Sequence, residues 1–183
     1  MTPFASFAPA APAELLRELA PRIARVVRAV LGYAHPDIED VTQQATFAFV
    51  QALPSFRGEC EPARFAARIA ARTAIAAAQS ARAHRARRDV DVEVDMLEDA
   101  SRAPDVDLAR ARRTNAVRAL LARIPTEQAE TMVLRVMLSW TLPEVASATG
   151  VPLNTVRSRV RLAKNALRAA LEADPALAEE LGD

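Results

Sequence analysis

The chain has 183 residues, of which 51% are hydrophobic, and its formal net charge at pH 7 is +1. It is long enough to bury one sizeable core or two small ones, and its composition is that of a globular protein. Aromatic residues make up only 4% and there are four glycines, so the alanine-rich sequence favours helices over sheet. No apolar run approaches the length of a membrane span. The single cysteine, Cys60, permits no intrachain disulfide, so we expect a reducing, cytoplasmic compartment.

The first residues, 1–13, contain alanine and proline without a basic segment and are interpreted as a flexible tail. A helix follows, in which Pro21 predicts a kink or a restart. Its apolar face consists of Leu15, Leu16, Leu19, Ile23, Val26, Val27 and Val30. A second helix is predicted after Asp37, which can cap it, and ends at Pro54. This helix keeps Asp40, Gln43 and Gln44 away from its apolar face.

A long third helix is predicted from Pro62 to Arg88. Between residues 64 and 88 there are seven arginines and no acidic residue, which makes this helix a candidate for binding nucleic acid. A solvated basic surface is the alternative, because Lys164 is the only lysine and arginine is used throughout the chain.

The composition changes abruptly after this helix. Residues 89–107 hold eight acidic residues and one arginine, which predicts a flexible acidic linker in preference to a short strand. Its acids are predicted to compete with DNA phosphate for the nearby arginines. We therefore divide the chain into an N-terminal domain, 14–88, and a C-terminal domain, 108–171. The acidic tail, 172–183, is expected to fray.

The C-terminal domain is predicted to start with a helix that ends at Pro125 and a second helix capped by Thr126. The second helix is expected to turn Met132, Val133, Val136 and Met137 inward. A short helix then stops at Gly150, where glycine permits a positive φ. Pro152 suits the first turn of the last helix.

The last helix has two distinct faces. Its apolar stripe consists of Val156, Val160, Ala163, Leu167 and Leu171. The other face has a small polar tip and is basic along its length, at Asn154, Thr155, Arg157, Ser158, Arg159, Arg161, Lys164 and Arg168. Short polar side chains fit near base edges in the major groove, and guanidinium groups reach phosphates and guanines. The pattern predicts a DNA-binding helix-turn-helix, although a solvated amphipathic helix would share the basic stripe.

Two helical segments, each with a basic helix and joined by an acidic linker, resemble the bacterial RNA polymerase sigma factors of the extracytoplasmic function (ECF) group. In the first half, IEDVTQQATFAFVQALPSFRGE resembles the promoter-melting domain of that group. In the second half, the Leu-x-x-Ile-Pro start and the phrase VPLNTVRSR resemble the domain that reads the minus-thirty-five element. The sequence departs from the family pattern at Gln44, Arg72 and Ala76.

The resemblance implies an all-α fold with two small domains, the second a helix-turn-helix. It implies that Asp40, Gln43 and Gln44 bind core RNA polymerase, whose β′ and β subunits would be the partners together with promoter DNA. It places the minus-ten element against Phe56, Arg57, Arg64, Phe65, Arg68 and Arg72. It places the upstream element against Asn154, Thr155, Arg157, Ser158, Arg159, Arg161 and Lys164. An anti-sigma factor is a further candidate partner.

Three other functions compete with a promoter-specificity subunit. A stand-alone DNA-binding regulator would need only the second domain, and would leave the polar face at Asp40, Gln43 and Gln44 without a role. A sigma-mimicking protein that titrates an anti-sigma factor would not need the arginines of the last helix. An enzyme would need a nucleophile–base pair, a phosphate loop or metal-ligand spacing, and none is visible in the sequence. We therefore expect neither catalysis nor a metal or other cofactor.

Overall fold

The computed structural model describes residues 12–33, 35–88, 112 and 115–182. The predicted N-terminal tail, except for its last two residues, and the whole predicted linker lie outside this part of the chain. The described elements are α1 (Pro12–Leu31), α2 (Ile38–Ala52), a 3₁₀ turn (Leu53–Ser55), α3 (Pro62–Arg88), α4 (Thr126–Met132), a π-helical turn (Val133–Met137), α5 (Leu142–Thr149), α6 (Leu153–Glu172) and α7 (Pro175–Gly182). Residues 115–121 are also helical. No strand occurs among the described residues, and the predicted all-α fold is confirmed.

Helices α1, α2 and α3 form a three-helix unit around Ile23, Val27, Phe49 and Ile75, all of which are almost completely buried. The face that α3 turns towards this unit contains a run of fully buried alanines, Ala66, Ala67, Ala70, Ala71 and Ala74. Small side chains at a helix contact allow a short interaxial distance. The buried alanines of α3 therefore allow this helix to pack closely against its neighbouring helices.

Helix α1 runs through Pro21 without a break, so the predicted restart does not occur. Pro21 is exposed, as is Arg17, whose carbonyl loses its usual N–H partner. On the solvent side of a helix, water can satisfy such a carbonyl. The proline is tolerated for this reason.

Two predicted caps are wrong. Asp37 precedes α2, but its side chain makes no capping hydrogen bond, and its backbone N–H donates to His35 Nδ1 at 3.2 Å. Helix α4 begins after Pro125, so Thr126 is its first residue and not its cap. The Thr126 hydroxyl instead donates to Gln79 Oε1 on α3 at 2.9 Å.

The C-terminal half departs from regular helical periodicity after α4. The backbone N–H of Leu138 donates to the carbonyl of Val133 at 3.0 Å, an i→i+5 bond. The wider turn rotates the residues that follow. Val133 and Leu134 at the start of the turn are buried, whereas Val136 within it is 62% exposed, so the prediction that Val136 faces inward is wrong.

The described residues up to 88 form a first half and those from 112 onward form a second half. The two halves pack against each other through α3. One cluster of buried apolar residues continues from Ile75 of α3 to Leu121, Ile124 and Val133 of the second half. The tail after residue 172 was expected to fray, but Pro175–Gly182 forms α7. Asp174, just before α7, accepts a hydrogen bond from Arg123 Nη2 at 2.6 Å, which ties this end of the chain to the second half.

Candidate nucleic-acid interface

Helices α5 and α6 form a helix-turn-helix. Thr141 caps α5 with a reciprocal capping box: its hydroxyl accepts from the Glu144 backbone N–H, and the Glu144 carboxylate accepts from the Thr141 N–H at 2.7 Å. The Thr-x-x-Glu spacing is a known sequence signature of such a box, and it was not used in the sequence prediction. Gly150 ends α5 in the left-handed conformation, with φ of 68°, and its N–H donates to the Ala146 carbonyl.

The apolar stripe of α6 faces the protein as predicted. Val156 and Ala163 are fully buried, and Val145 of α5 is buried with them. The remaining stripe residues, Val160, Leu167 and Leu171, are half-buried. The orientation of α6 is therefore fixed by packing, which leaves its opposite face to solvent.

That opposite face carries the side chains predicted to contact the upstream element. Asn154, Arg157, Ser158, Arg161, Lys164 and Arg168 are exposed, whereas Thr155 and Arg159 are half-buried. Arg157 Nη1 donates to Asn154 Oδ1 at 3.0 Å, and this hydrogen bond orients the two side chains at the N-terminal end of α6. In the described part of the chain, no acidic side chain forms an ion pair with a cation of this face.

In the first half, the loop before α3 is anchored by aromatic contacts. The ring of Phe56 lies 4.7 Å from that of Phe65, and Phe65 lies 6.1 Å from the buried Phe49. Phe56 and Phe65 are both half-buried, and Arg57 is exposed beside them. The structure thus brings Phe56 of the loop against Phe65 at the start of α3, two of the residues that the resemblance assigned to the minus-ten element.

Arg64, Arg68 and Arg72 of α3 have a different environment from the arginines of α6. Arg64 Nη2 pairs with Glu144 Oε1 at 2.7 Å, and the Arg64 guanidinium lies 6.0 Å from the centre of the Trp140 ring. Arg68 Nε pairs with Glu130 Oε1 at 2.9 Å, and Arg72 Nη1 lies 3.4 Å from Glu130 Oε2. The three α3 arginines among the six predicted minus-ten contacts therefore form ion pairs with acidic residues of the second half, which the sequence did not predict.

The predicted polymerase-binding residues lie together on α2. Asp40, Gln43 and Gln44 are all exposed. On the same helix Phe47 is 63% exposed and Val50 is 38% exposed. An exposed phenylalanine next to polar groups is typical of a protein interface, and the sequence interpretation gave Phe47 no role.

Cys60, at the end of the loop, is half-buried and has no disulfide partner. Burial raises the pKa of its thiol above the ordinary value, and the nearby Arg64 and Arg68 oppose this. A raised pKa leaves less of the reactive thiolate, so the surroundings of Cys60 do not activate it as a nucleophile. Among the described residues there is no cluster of potential metal ligands and no helix that could span a membrane.

Comparison with known families identifies both halves. Residues 15–84 match the family described as Sigma-70 region 2, and residues 114–167 match the family described as Sigma-70, region 4. The chain therefore belongs to the sigma-70 family of RNA polymerase sigma factors. Its pair of regions, 2 and 4, is of the ECF type, and a protein of this type directs RNA polymerase to promoters.

Solved structures include two that are similar in fold. The sigma factor RpoE from Bartonella quintana, solved in complex with the anti-sigma factor NepR, is 18% identical, with a TM-score of 0.49 over 88% of this chain and 97% of that one. CnrH, solved in complex with the cytosolic domain of CnrY, is 24% identical, with a TM-score of 0.49 over 89% of this chain and 88% of that one. No curated protein matches the chain significantly. The two sigma-70 regions, and not these overall likenesses, identify the family.

Proposed function

We propose that the sigma-factor function is divided among three surfaces of this chain. The exposed face of α6 reads the upstream promoter element. The loop at Phe56 and Arg57, with the start of α3, holds the minus-ten element. The exposed face of α2 binds core RNA polymerase, which performs the chemistry, so this chain needs no catalytic group of its own.

The observation that carries the proposal is the exposed basic face of α6, whose cations form no ion pair with an acid among the described residues. Its tip presents Asn154 and Ser158, which are short enough to approach base edges, while Arg161 and Lys164 lie further along and can reach phosphates. Because Val156 and Ala163 fix the other side of α6 in the core, the face is held rigidly. A rigid helix with short polar side chains in its first turns and basic side chains in its later turns suits direct reading of bases in the major groove.

Strand separation needs a site that holds an unstacked base. The Phe56 and Phe65 rings are tilted by 34° to each other, and Phe65 lies in turn against the buried Phe49, which offers an aromatic platform on a supported loop. Stacking on an aromatic ring contributes about 1–3 kcal/mol per base. This is of the same order as the few kcal/mol needed to flip a base out of a duplex.

Binding to core polymerase is assigned to α2, because Asp40, Gln43 and Gln44 share its exposed face with Phe47 and Val50. An apolar patch with polar neighbours is the composition expected of a protein interface. The β′ and β subunits remain the predicted partners, and we also propose a cytoplasmic location. Binding of an anti-sigma factor stays a prediction.

Reconstitution with core RNA polymerase tests the whole proposal. We expect transcription from defined start sites whose upstream sequences share two elements, mapped genome-wide in vitro. Absence of specific initiation with active core enzyme would contradict the proposal. Binding of the second half alone to DNA, without any effect on the polymerase, would instead indicate a stand-alone regulator.

The α2 surface has its own test. The double variant Asp40→Arg/Gln43→Ala should weaken association with core polymerase, measured by fluorescence titration, while circular dichroism shows unchanged helicity. Glu18→Arg on α1 makes the same change of charge at an exposed position and is the matched control. Equal affinity of the double variant and the wild type would remove the assignment of α2.

A further inference from the structure

The last helix of the chain, α7, lies outside both sigma-70 regions. The match to region 4 ends at residue 167, whereas α6 continues to Glu172 and is followed by α7, Pro175–Gly182. Two residues, Ala173 and Asp174, connect the two helices, and α7 folds back to pack against α6. The matched regions therefore assign no role to this extension, which lies beside the helix that we propose reads DNA.

The C-terminal half of α6 has few anchors in the core. The two buried residues of this helix, Val156 and Ala163, both lie before residue 164. Residues 164–172 are all exposed or half-buried. A helix end with few buried contacts opens more readily than a segment in the core. Lys164 and Arg168 of the basic face therefore belong to the less firmly packed part of α6.

An ion pair ties this end of α6 to another part of the second half. Arg123 Nη2 donates to Asp174 Oδ2 at 2.6 Å, and both side chains are 29% exposed. Charge-assisted hydrogen bonds of this kind are stronger than neutral ones, and partial burial reduces the screening of the charges. Arg123 follows the helical residues 115–121. The pair therefore joins the end of α6 to the first helical segment of the second half.

The same pair balances the charge at the end of α6. The last turn of α6 contains no basic residue, and the carbonyl groups of a helix C-terminus have a partial negative charge. Asp174 adds a carboxylate close to this end, because its backbone N–H donates to the Leu171 carbonyl at 3.2 Å. The guanidinium of Arg123 supplies the cation that the last turn lacks. Without it, the negative charges would destabilise the end of α6.

Helix α7 depends on the same residues. The backbone carbonyl of Asp174 accepts from the Ala178 N–H at 3.3 Å, which begins α7. An isolated helix of fewer than about twelve residues is marginal in water, and α7 has eight. Its helical structure therefore depends on its packing against α6.

We propose that Arg123, Asp174 and α7 together form a C-terminal brace, which holds the end of α6 and so positions Lys164 and Arg168 for contact with DNA phosphates. The inference rests on the proposed reading of the upstream element by α6. Arg123 and Asp174 act through the backbone of α6 and are positioning residues, which need not contact DNA themselves. If the end of α6 were frayed, ordering it on DNA would cost conformational entropy and weaken its phosphate contacts.

The test compares variants of the full chain. Asp174→Asn removes the charge of the ion pair and keeps an oxygen acceptor, and Arg123→Met removes the guanidinium and keeps an unbranched side chain. Glu172→Gln makes the same change of charge as Asp174→Asn at a neighbouring exposed position and is the matched control. The first measurement is amide hydrogen exchange of the free protein, followed by mass spectrometry.

We expect faster exchange of residues 164–172 in Asp174→Asn and in Arg123→Met, because local opening of the helix end becomes easier. Exchange of residues 153–163 should be unchanged, and so should the whole of α6 in the Glu172→Gln control. Unchanged exchange of residues 164–172 in both variants, or an equal change in the control, would overturn the C-terminal brace.

The second measurement is a double-mutant cycle on binding of the holoenzyme to duplex DNA. The probe is the upstream element of the most active promoter found by the mapping of start sites. Asp174→Asn alone should weaken binding about threefold to fivefold, which is the upper range for one partly exposed ion pair. Arg168→Ala should cost less in this background than in the wild type, by about the same factor, because its contact is already impaired. Arg157→Ala, at the firmly packed end of α6, should cost the same in both backgrounds.

The cycle separates the C-terminal brace from the proposed function. If Arg168→Ala weakens binding equally in the wild type and in Asp174→Asn, the positioning role is overturned and the assignment of α6 to the upstream element stands. If neither Arg157→Ala nor Arg168→Ala weakens binding by the wild type, that assignment fails, and the positioning role fails with it. Hydrogen exchange then still decides whether the ion pair holds the end of α6.

Discussion

Helices α3 and α6 both carry arginines at helical spacing, yet these arginines differ in exposure and in their ion pairs. On α3, Arg64 and Arg68 are about one-quarter exposed and each forms an ion pair with a glutamate of the other half. On α6, Arg157 and Arg161 are exposed, and neither forms an ion pair with an acid in the described part of the chain. Two surfaces with the same sequence pattern therefore have different neighbours.

The difference shows how far a charge pattern can be interpreted. A basic stripe indicates that a helix can bind an anion, but it does not indicate which anion is bound in the folded chain. For α6 most side chains of the basic face are exposed and meet no acidic partner among the described residues, which suits immediate contact with DNA. For α3 the surroundings of Arg64, Arg68 and Arg72 include Glu130 and Glu144, so these arginines contribute to the folded structure as well as to the proposed DNA surface.

The largest expected effect concerns stability and separates the two helices directly. Arg68→Ala/Arg72→Ala removes both partners of the buried Glu130, and we expect a loss of about 3 kcal/mol in the free energy of unfolding, because an uncompensated carboxylate stays in the interior. Arg161→Ala/Lys164→Ala on α6 should change it by less than about 1 kcal/mol in total. Urea unfolding followed by circular dichroism measures both.

A third variant identifies the cause of that loss. Adding Glu130→Leu to Arg68→Ala/Arg72→Ala should recover most of the stability, since replacing a buried ion pair with apolar groups is often neutral. If the triple variant were as unstable as the double one, lost packing of the arginine stems would explain the effect, and the comparison of α3 with α6 would have to be restated without charge.

An intermediate effect divides α6 itself. Arg157→Ala, near the tip of the helix, should cost about 2 kcal/mol of binding free energy on the matched upstream element and relax the preference at one base pair. Arg168→Ala, further along, should weaken matched and scrambled elements alike and reduce the salt slope by about one. Fluorescence anisotropy with holoenzyme at several salt concentrations measures both. Identical behaviour of the two variants would contradict the division into base and phosphate contacts.

The smallest expected effect is a pH dependence of stability that arises from Glu144, which lies on α5 and pairs with Arg64 of α3. The pKa of Glu144 is lowered, first by the hydrogen bond from the Thr141 backbone N–H, then by the Thr141 side chain, with Arg64 adding to this. A lowered folded-state pKa means that the stabilising contribution is present above the ordinary value of 4.5 and is lost as the pH falls through the folded-state pKa.

We therefore expect the wild type to lose stability more steeply below pH 4.5 than Glu144→Gln, measured by urea unfolding at a series of pH values. The exposed Glu127→Gln on α4 is the matched control. A change of slope of the same size in Glu127→Gln would show that the effect is general to the charge of the chain. In that case the Thr141 and Arg64 contacts of Glu144 would not be its source.

The sequence by itself determined the main helices and the helix-turn-helix, whereas the three binding surfaces that the resemblance implies stay predictions. The helices and the turn follow from local rules: the intervals between Val156, Val160 and Ala163 specify one face of α6, and Gly150 specifies the turn before it. The same rules could also have predicted the capping box of Thr141 and Glu144 from the spacing of these two residues alone. Local rules succeed because the interacting groups lie within one or two helical turns.

The tertiary structure decided which side chains meet across the chain. The partners of Arg64 and Arg68 lie 80 and 62 residues away, and no periodicity in the sequence relates them. The exposure of Val136 depends on a single i→i+5 turn, and residues 133–137 carry no glycine or proline that would have signalled it. Thr126 donates to Gln79 instead of capping its own helix because α3 is adjacent. Such contacts are set by how the helices pack, since packing brings together groups that the chain order keeps far apart.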